Sequence, residues 1–446
     1  MAKTYPVCAA SQIQYSIAFL MMSDSARTFL EPSNAAEPSW FQQQCRRMLF
    51  RRLSDLNGRL VIEEAGISHS FGDDMGISAH IEVKDPDFFS DIALRGSLGA
   101  AKAWMDGTWF SQDLTAVFAI LAQNPELTDG FDRGWSQVAA RAASRFHEKR
   151  RNSPRGSRQN IADHYDLGNA LFDLFLDRSM NYSSAFFNSD RDSLDTAGQN
   201  KLERICNKLS LDASHHVLEV GCGWGGFAVH AASRFGCRVT GITISQEQFE
   251  FAKAKVIEAE LTDQVEIVLC DYRDHQGQYD RVVSIEMIEA VGQEFLGDYF
   301  SKIQSFLKDN GAALLQAITM PDQRYAQYLK GCDFIQRYIF PGSCVPSLGA
   351  INEAVRQRTD LKLVDLEDIA PHYAETLRRW RDNFNAHREE IRALGYPERF
   401  IRLWNYYFCY CEAGFDERYL SDLQIVLTRP KWRGEVPRLL GNGSSY

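Results

Sequence analysis

From His216 to Ile318 the chain alternates short apolar runs with amphipathic ones, and that alternation leaves few folds open. His216–Val220, Arg238–Ile242, Val265–Leu269, Arg281–Ile285 and Ala312–Ile318 read as strands. Gly225–Phe235, Gln246–Ala259 and Phe295–Leu307 read as helices between them. Strands joined through helices pair in parallel and take helices on both faces, so the pattern predicts an α/β, doubly wound, mostly parallel sheet. Two long helices are expected beyond it, around Tyr373–Leu394 and Glu398–Phe415. A strand Gln424–Thr428 and a flexible polar tail, 431–446, close the chain.

Its 446 residues are too many for one domain at about 100–200 residues each. Hydrophobic residues make up 45% and charged ones 24%, which fits a folded protein rather than a disordered or coiled-coil one. A net charge of −10 argues against nucleic acid as a partner. No uncharged apolar run reaches the ~18 residues of a spanning helix; the longest candidate is Ile17–Met22. The ten cysteines are scattered, without zinc spacing or a disulfide framework, so no metal is expected and a reducing, cytoplasmic setting is.

Residues 1–39 read as a disordered leader or a misassigned start, with a signal peptide as the alternative. A small α+β domain is expected over 40–146. Its first helix, Trp40–Leu53, sets Phe41, Cys45, Met48, Leu49 and Leu53 on one face and Arg46, Arg47, Arg51 and Arg52 on the flanks. Such a helix either lies on an anionic membrane surface or packs on its own domain. Strands Leu60–Glu63 and Ile77–Val83 follow, then a helix broken by Gly96 and Gly99, a turn at Asp106-Gly107, and helices Leu114–Ala122 and Gly134–His147. The run 147–160, with Lys149, Arg150, Arg151, Arg155 and Arg158, is a basic linker; it is either only solvated or set against phosphate headgroups.

The segment His216–Ala232 is a strand ending in an acid, a glycine turn and a helix. Its E-V-G-C-G-W-G-G has the compact turn found in class I methyltransferases, not the spaced dinucleotide fingerprint. Gly221 and Gly223 let the backbone approach a ligand that a Cβ would displace. The second strand leads to Thr243 and Gln248, suited to ribose hydroxyls, and the third to Asp271 and Tyr272, suited to an adenine ring. Three successive strand ends of this kind point to S-adenosylmethionine in a Rossmann-like sheet.

At this point the chain resembles the S-adenosylmethionine-dependent cyclopropane-fatty-acyl-phospholipid synthases and their mycolic acid methyltransferase relatives. The resemblance rests on IADHYDLGNALFDLFLD, MNYSSAFF, VLEVGCGWGGFAVHAASRFGCRVTGITIS, SIEMIEAVG, RYIFPGSCVPSL and HYAETLRRW, spread over about 160–430. It implies a methyltransferase domain, 161–430, with a helical lipid-binding part at its C-terminal end. It also implies transfer of a methyl carbon to the double bond of an unsaturated phospholipid acyl chain, forming a cyclopropane. The expected setting is peripheral, at the inner membrane surface with an anionic membrane as partner, and the resemblance implies a homodimer. Tyr182 and Ser183 match the family's cofactor-contacting pair. Family synthases also hold a bicarbonate ion beside the reacting methyl, and its ligands carry over to Ser184, Glu289, Gln316, Ile318 and Tyr373. Glu289 and Tyr373 match the family's residues. Ser184 replaces a cysteine, while Gln316 and Ala290 replace histidines. Gln316 keeps a donor but cannot titrate near neutrality.

An alkene carries no proton to remove, so catalysis of its methylation rests on alignment, on stabilising the resulting carbocation and on excluding water. Tyr165, Phe186, Phe187 and Tyr338 are the candidate cation-facing aromatics, and Phe340, Trp380, Phe384, Trp404 and Tyr407 suit a lipid tunnel or a large core. Cys411 reads as a packed thiol. Two other readings stand beside cyclopropanation: C-methylation to a methyl-branched product without ring closure, and a non-catalytic S-adenosylmethionine- or membrane-binding module.

Overall fold

The computed structural model describes residues 38–127 and 167–435. Most of the leader, the expected helix Gly134–His147, the linker 147–160 and Tyr165 lie outside the described residues. Helix α1 (Trp40–Arg52) starts on Ser39, which exchanges hydrogen bonds with Gln42 and so satisfies N–H groups that a helix start leaves open. Strands β1 (Arg59–Glu64), β2 (Ile67–Gly72), β3 (Ser78–Val83) and β4 (Trp109–Phe110) form a four-stranded sheet in the order β2-β1-β3-β4. Between β3 and β4 runs α2 (Asp87–Asp106), and α3 (Leu114–Gln123) follows. Of the two expected breaks in α2, only Gly96 is one; Gly99 lies within helix. On α1, Cys45, Leu49 and Leu53 are buried as expected, but Phe41 and Met48 are exposed.

The larger part contains α4 (Asn169–Asp173), α5 (Leu194–Lys208), β5 (His216–Val220), α6 (Gly226–Phe235), β6 (Arg238–Thr243), α7 (Gln246–Glu258), β7 (Val265–Leu269) and β8 (Tyr279–Ile285). It continues with α8 (Leu296–Phe306), β9 (Leu307–Thr319), α9 (Asp322–Tyr328), α10 (Leu348–Arg358), β10 (Lys362–Asp368), α11 (Ala370–Ala386), α12 (Arg388–Ala393), α13 (Glu398–Asp416) and β11 (Ser421–Thr428). Its seven-stranded sheet has the order β10-β11-β9-β8-β5-β6-β7. Strands β5 to β9 pair in parallel, and β11 runs antiparallel to both its neighbours. This is the mixed α/β, doubly wound sheet of a class I methyltransferase. The chain leaves β5 toward β6 on one side and returns to β8 on the other; at such a reversal open sheets bind their ligands, beyond the carboxyl ends of the strands.

The single helix expected over Tyr373–Leu394 is two, divided at His387, whose ring nitrogen and backbone N–H both reach the Asn383 carbonyl. The expected flexible tail starts packed: Trp432 is partly buried against the sheet's core, and Lys431 pairs with Asp309 at 2.7 Å. The small block does not stand apart. Its Trp104 and Phe118 share one core with Trp404, Tyr406 and Phe408 of α13. The Trp104 indole donates to the Arg402 carbonyl at 3.0 Å, and the Phe118 ring meets that of Tyr406 at 4.7 Å. Below them, Glu412, 2% exposed, accepts from Thr115 of α3 at 3.1 Å and pairs with Arg378 and Arg381. No described helix is long and apolar enough to cross a membrane.

Candidate functional site

The glycine turn leaves β5 with both Gly221 N–H and Cys222 N–H donating to the Ile242 carbonyl of β6, at 3.0 and 2.9 Å. Gly221 has φ +80°, and a Cβ there would stand 2.9 Å from the Met287 side chain. Gly223, φ +51°, has nothing within 4 Å of where a Cβ would be, so the turn opens on free space. Glu219, at the end of β5, is buried, and its Oε2 has no hydrogen-bond partner among the described residues. Burial pushes its carboxyl well above the usual range. An orphaned acceptor beside an open glycine cradle fits the ammonium and chain of S-adenosylmethionine. Thr243 and Gln248 are buried and bonded to each other at 2.9 Å. Asp271 is clamped by its neighbour Arg273, with Nη2–Oδ2 at 2.6 Å, while Tyr272 meets Tyr299 edge-on. Tyr182 is half-buried, and its hydroxyl donates to that of Tyr407 at 3.3 Å.

Beyond the carboxyl ends of β8 and β9 lies a cluster of carboxylates that the sequence shows only in part. Glu286 directly follows β8 and has φ +46°, a left-handed conformation that costs a residue with a Cβ about 1–2 kcal/mol. Its Oε1 accepts from the Ser184 N–H at 2.8 Å and from the Gln316 side-chain amide at 2.7 Å. Its Oε2 accepts from the Tyr373 hydroxyl at 2.7 Å. The same Gln316 amide reaches Asp422 Oδ2 at 2.9 Å, because β9 and β11 set Gln316 opposite Gln424, two residues from Asp422. Glu289, in the turn after β8, accepts from the Ile318 N–H at 2.6 Å. Its Oε2 is buried without a partner among the described residues. Ser184, Gln316, Tyr373 and Asp422 are buried, whereas Glu286 and Glu289 are partly buried.

Lys201 of α5 reaches this cluster from below, fully buried, donating to the Ser183 hydroxyl at 2.8 Å. Burial lowers its pKa, against the pull of Glu286, Asp177, Asp422 and Glu219. Burial raises the pKa of all three site carboxyls. That of Asp422 is well up and that of Glu289, also raised by Glu286, is at about 8. Three donors favour the ionised form of Glu286, against one for the side chain of Asp422 and two backbone N–H groups, its own and that of Ile318, for Glu289. The donor set therefore favours Glu286 as the ionised member, and Glu289, at about 8, favours its neutral form at pH 7.

The residues expected to surround a bicarbonate ion thus come together, but around a carboxylate of the chain itself. Tyr373 bonds Glu286, not an added anion, and so do the Ser184 N–H and the Gln316 amide. A second anion would meet a negative charge and find those donors taken, so bicarbonate does not fit. Sequence reasoning missed Glu286, Asp422 and Lys201. The available signal was the pair of glutamates in SIEMIEAVG, of which only the second was read.

Above the cluster the walls are aromatic. Tyr182 lies 5.3 Å from Trp380 and 6.2 Å from Phe340, which meets Tyr407, and Tyr373 stacks on Phe415 at 4.4 Å. Trp404 and Phe384 are core residues, stacked on each other. Phe186 is unsuited to face a substrate cation, since Arg204 covers its ring at 4.4 Å and His372 at 4.0 Å. Phe187 packs near the same histidine, and Tyr338 against Phe334. Cys411 is partly buried, its thiol pushed well up by burial.

Residues 152–425 match the family model described as mycolic acid cyclopropane synthetase. The chain is 37% identical over 391 residues to tuberculostearic acid methyltransferase UfaA1 of Mycobacterium tuberculosis, covering 86% of this chain and 90% of that protein. It is 36% identical over 354 residues to the cyclopropane-fatty-acyl-phospholipid synthase of Escherichia coli strain K12, covering 79% and 88%. Among solved structures, the cyclopropane synthase MmaA2 from Mycobacterium tuberculosis is similar with a TM-score of 0.57 and 28% identity, over 61% of this chain and 98% of that one. The mycolic acid cyclopropane synthase CmaA1 complexed with SAH and CTAB is similar with a TM-score of 0.57 and 29% identity, also over 61% and 98%.

Proposed function

The chain belongs to the mycolic acid cyclopropane synthetase family and is an S-adenosylmethionine-dependent C-methyltransferase of lipids; from that premise we propose that it methylates the double bond of an unsaturated fatty acyl chain of a phospholipid and closes it to a cyclopropane. Bound at the glycine turn, S-adenosylmethionine supplies an electrophilic methyl carbon. The observation that carries the reading is the pairing of one ionised carboxylate with aromatic walls beside that turn. Gly221 touches Met287, the neighbour of Glu286, so the cofactor side and the carboxylate share one wall. Such a chamber holds an uncharged olefin dry, and the faces of Tyr182, Phe340 and Tyr407 stabilise positive charge formed on the chain.

The test is lipid analysis after incubating the full chain with S-adenosylmethionine and monounsaturated phospholipid vesicles. The expected product gains one CH₂ unit by mass and shows ring protons by NMR. A gain in mass with olefinic or branched-methyl protons instead supports the second reading, C-methylation without ring closure. Gln316 and Ala290, in place of the family's histidines, favour that reading.

The carboxyl pair sets a pH dependence. Turnover (kcat/KM) is expected to trace a bell. Its acid limb belongs to Glu286 and lies above the ordinary carboxylate range, because burial favours the protonated form. Its alkaline limb falls at about 8, where Glu289 ionises and two negative groups face each other. Glu289→Gln is expected to remove the alkaline limb and keep the acid one; an unchanged profile would count against this assignment.

The partner surface we propose is an anionic membrane, met through α1. Trp40 is 74% exposed, and Phe41 and Met48 stand out beside Arg47, Arg51 and Arg52. Arg47, Met48, Arg51 and Arg52, with Gln44, line a shallow cleft of about 380 Å³. Arg46 is set apart: it pairs with Glu64 and lies over Phe50 at 4.6 Å. At about 1 kcal/mol per basic residue near an anionic surface, replacing Arg47, Arg51 and Arg52 with alanine is expected to weaken vesicle binding about 100-fold and flatten its salt dependence. Unchanged partitioning in a flotation assay would make α1 only a packing helix.

A further inference from the structure

We infer that the Glu286 carboxylate is a built-in proton acceptor, standing where family synthases hold a bicarbonate ion, so that this chain works without bicarbonate. The inference rests on the methylation reading above and assigns its last step. Glu286 occupies the centre of the donor set: the Ser184 N–H, the Gln316 amide and the Tyr373 hydroxyl all point to it, at 2.7 to 2.8 Å. It is held there by a backbone conformation that favours glycine, φ +46°, and strain of this kind persists only where the surrounding structure enforces it. Its donors Ser184, Gln316 and Tyr373 are buried, whereas Glu286 itself is only partly so. Its neighbour Met287 abuts Gly221 of the cofactor turn.

The step balances with no further reactant. Methyl transfer leaves the acyl chain as a carbocation. A C–H bond of the added methyl carbon breaks, its electron pair forms the closing C–C bond of the ring, and the proton passes to Glu286, which becomes a neutral acid. Loss of a proton from a neighbouring chain carbon uses the same acceptor and leaves a double bond. Glu289, already protonated at neutral pH, does not compete for the proton.

Two measurements on the full chain test this. In the first, turnover on monounsaturated phospholipid vesicles is followed in buffers stripped of carbon dioxide and in buffers with added bicarbonate. Wild type is expected to run equally in both. Glu286→Gln is expected to lose about 10²–10³-fold in turnover, within the usual reach of a general base, while S-adenosylmethionine affinity stays within about threefold. Glu286→Gly, which relieves the backbone and empties the donor set, is expected to be inactive when stripped and partly restored by bicarbonate. Wild-type turnover that depends on bicarbonate, or Glu286→Gln with undiminished turnover, overturns the inference. The second measurement needs no substrate: titration with ¹³C-bicarbonate in the presence of S-adenosylhomocysteine, read by NMR. Wild type is expected not to bind and Glu286→Gly to bind; binding by wild type overturns the inference. If no unsaturated lipid is methylated at all, the methylation reading fails by itself, and the titration still decides whether Glu286 takes the anion's place.

Discussion

Exchange of Gly221 for alanine is expected to weaken S-adenosylmethionine binding about 100-fold. At φ +80° an L-residue costs about 1–2 kcal/mol, and its Cβ would stand 2.9 Å from the Met287 side chain. The turn relieves both by rotating out of its left-handed state, and then the N–H groups of Gly221 and Cys222 leave the Ile242 carbonyl that shapes the cradle. Binding must restore that geometry, at about 2–3 kcal/mol in all, and each 1.4 kcal/mol is tenfold in affinity. Gly66 is the control: it has φ +78° but nothing within 4 Å of a Cβ, and it lies in the turn between β1 and β2. Gly66→Ala is expected to cost a similar backbone penalty and leave cofactor affinity unchanged. Calorimetric titration of both variants decides the matter; equal affinities would mean that the turn does not cradle the cofactor.

Glu412→Ala is expected to lower the unfolding free energy by about 3 kcal/mol, a large share of the 5–15 kcal/mol typical of a folded protein. Removing one partner of a buried ion pair leaves the other charge without compensation, which costs about 3–5 kcal/mol. The lower end applies because the Arg378 side chain is 41% exposed and water takes over part of its hydration. Arg381, 20% exposed at its side chain, and Thr115 lose the carboxylate that joins α3 to α11 and α13. Urea unfolding of the two proteins measures the difference. A shift below 1 kcal/mol would mean that the apolar core holds this joint unaided.

What could be read beforehand followed from burial. Strands β5, β6, β8 and β9 lie inside the sheet and carry apolar runs, and the edge strand β7, VEIVL, is apolar enough to stand out with them. Strand β10 is an edge strand with exposed charges, KLVDLED, and carries no such run. Strand β2, ISHSFG, is similarly polar and was missed with it. Helix α5 escaped because its buried side includes Gly198, pressed against Asp177, and Lys201, neither of which marks an apolar stripe. In the site, Gln316 of the strand AALLQAIT was reached through the family resemblance, as a ligand carried over by position. Glu286 was not, since nothing local marks a glutamate for a left-handed turn. Asp422 and Lys201 meet it only through pairing of β11 with β9 and packing of α5, contacts that span more than 80 residues. The glycine turn was legible from the residues alone, and Ser184, Gln316 and Tyr373 through the resemblance; Glu286, Asp422 and Lys201 through neither.

Helix α13 looks two ways within a single peptide unit. Tyr406 beds against Phe118 of the small block, and the next residue, Tyr407, takes the Tyr182 hydroxyl bond. A force on the small block therefore has a stiff lever to the aromatic cluster around Tyr182. The block is a strut: loosening it is expected to shift the rings of Tyr407 and Tyr182 against each other.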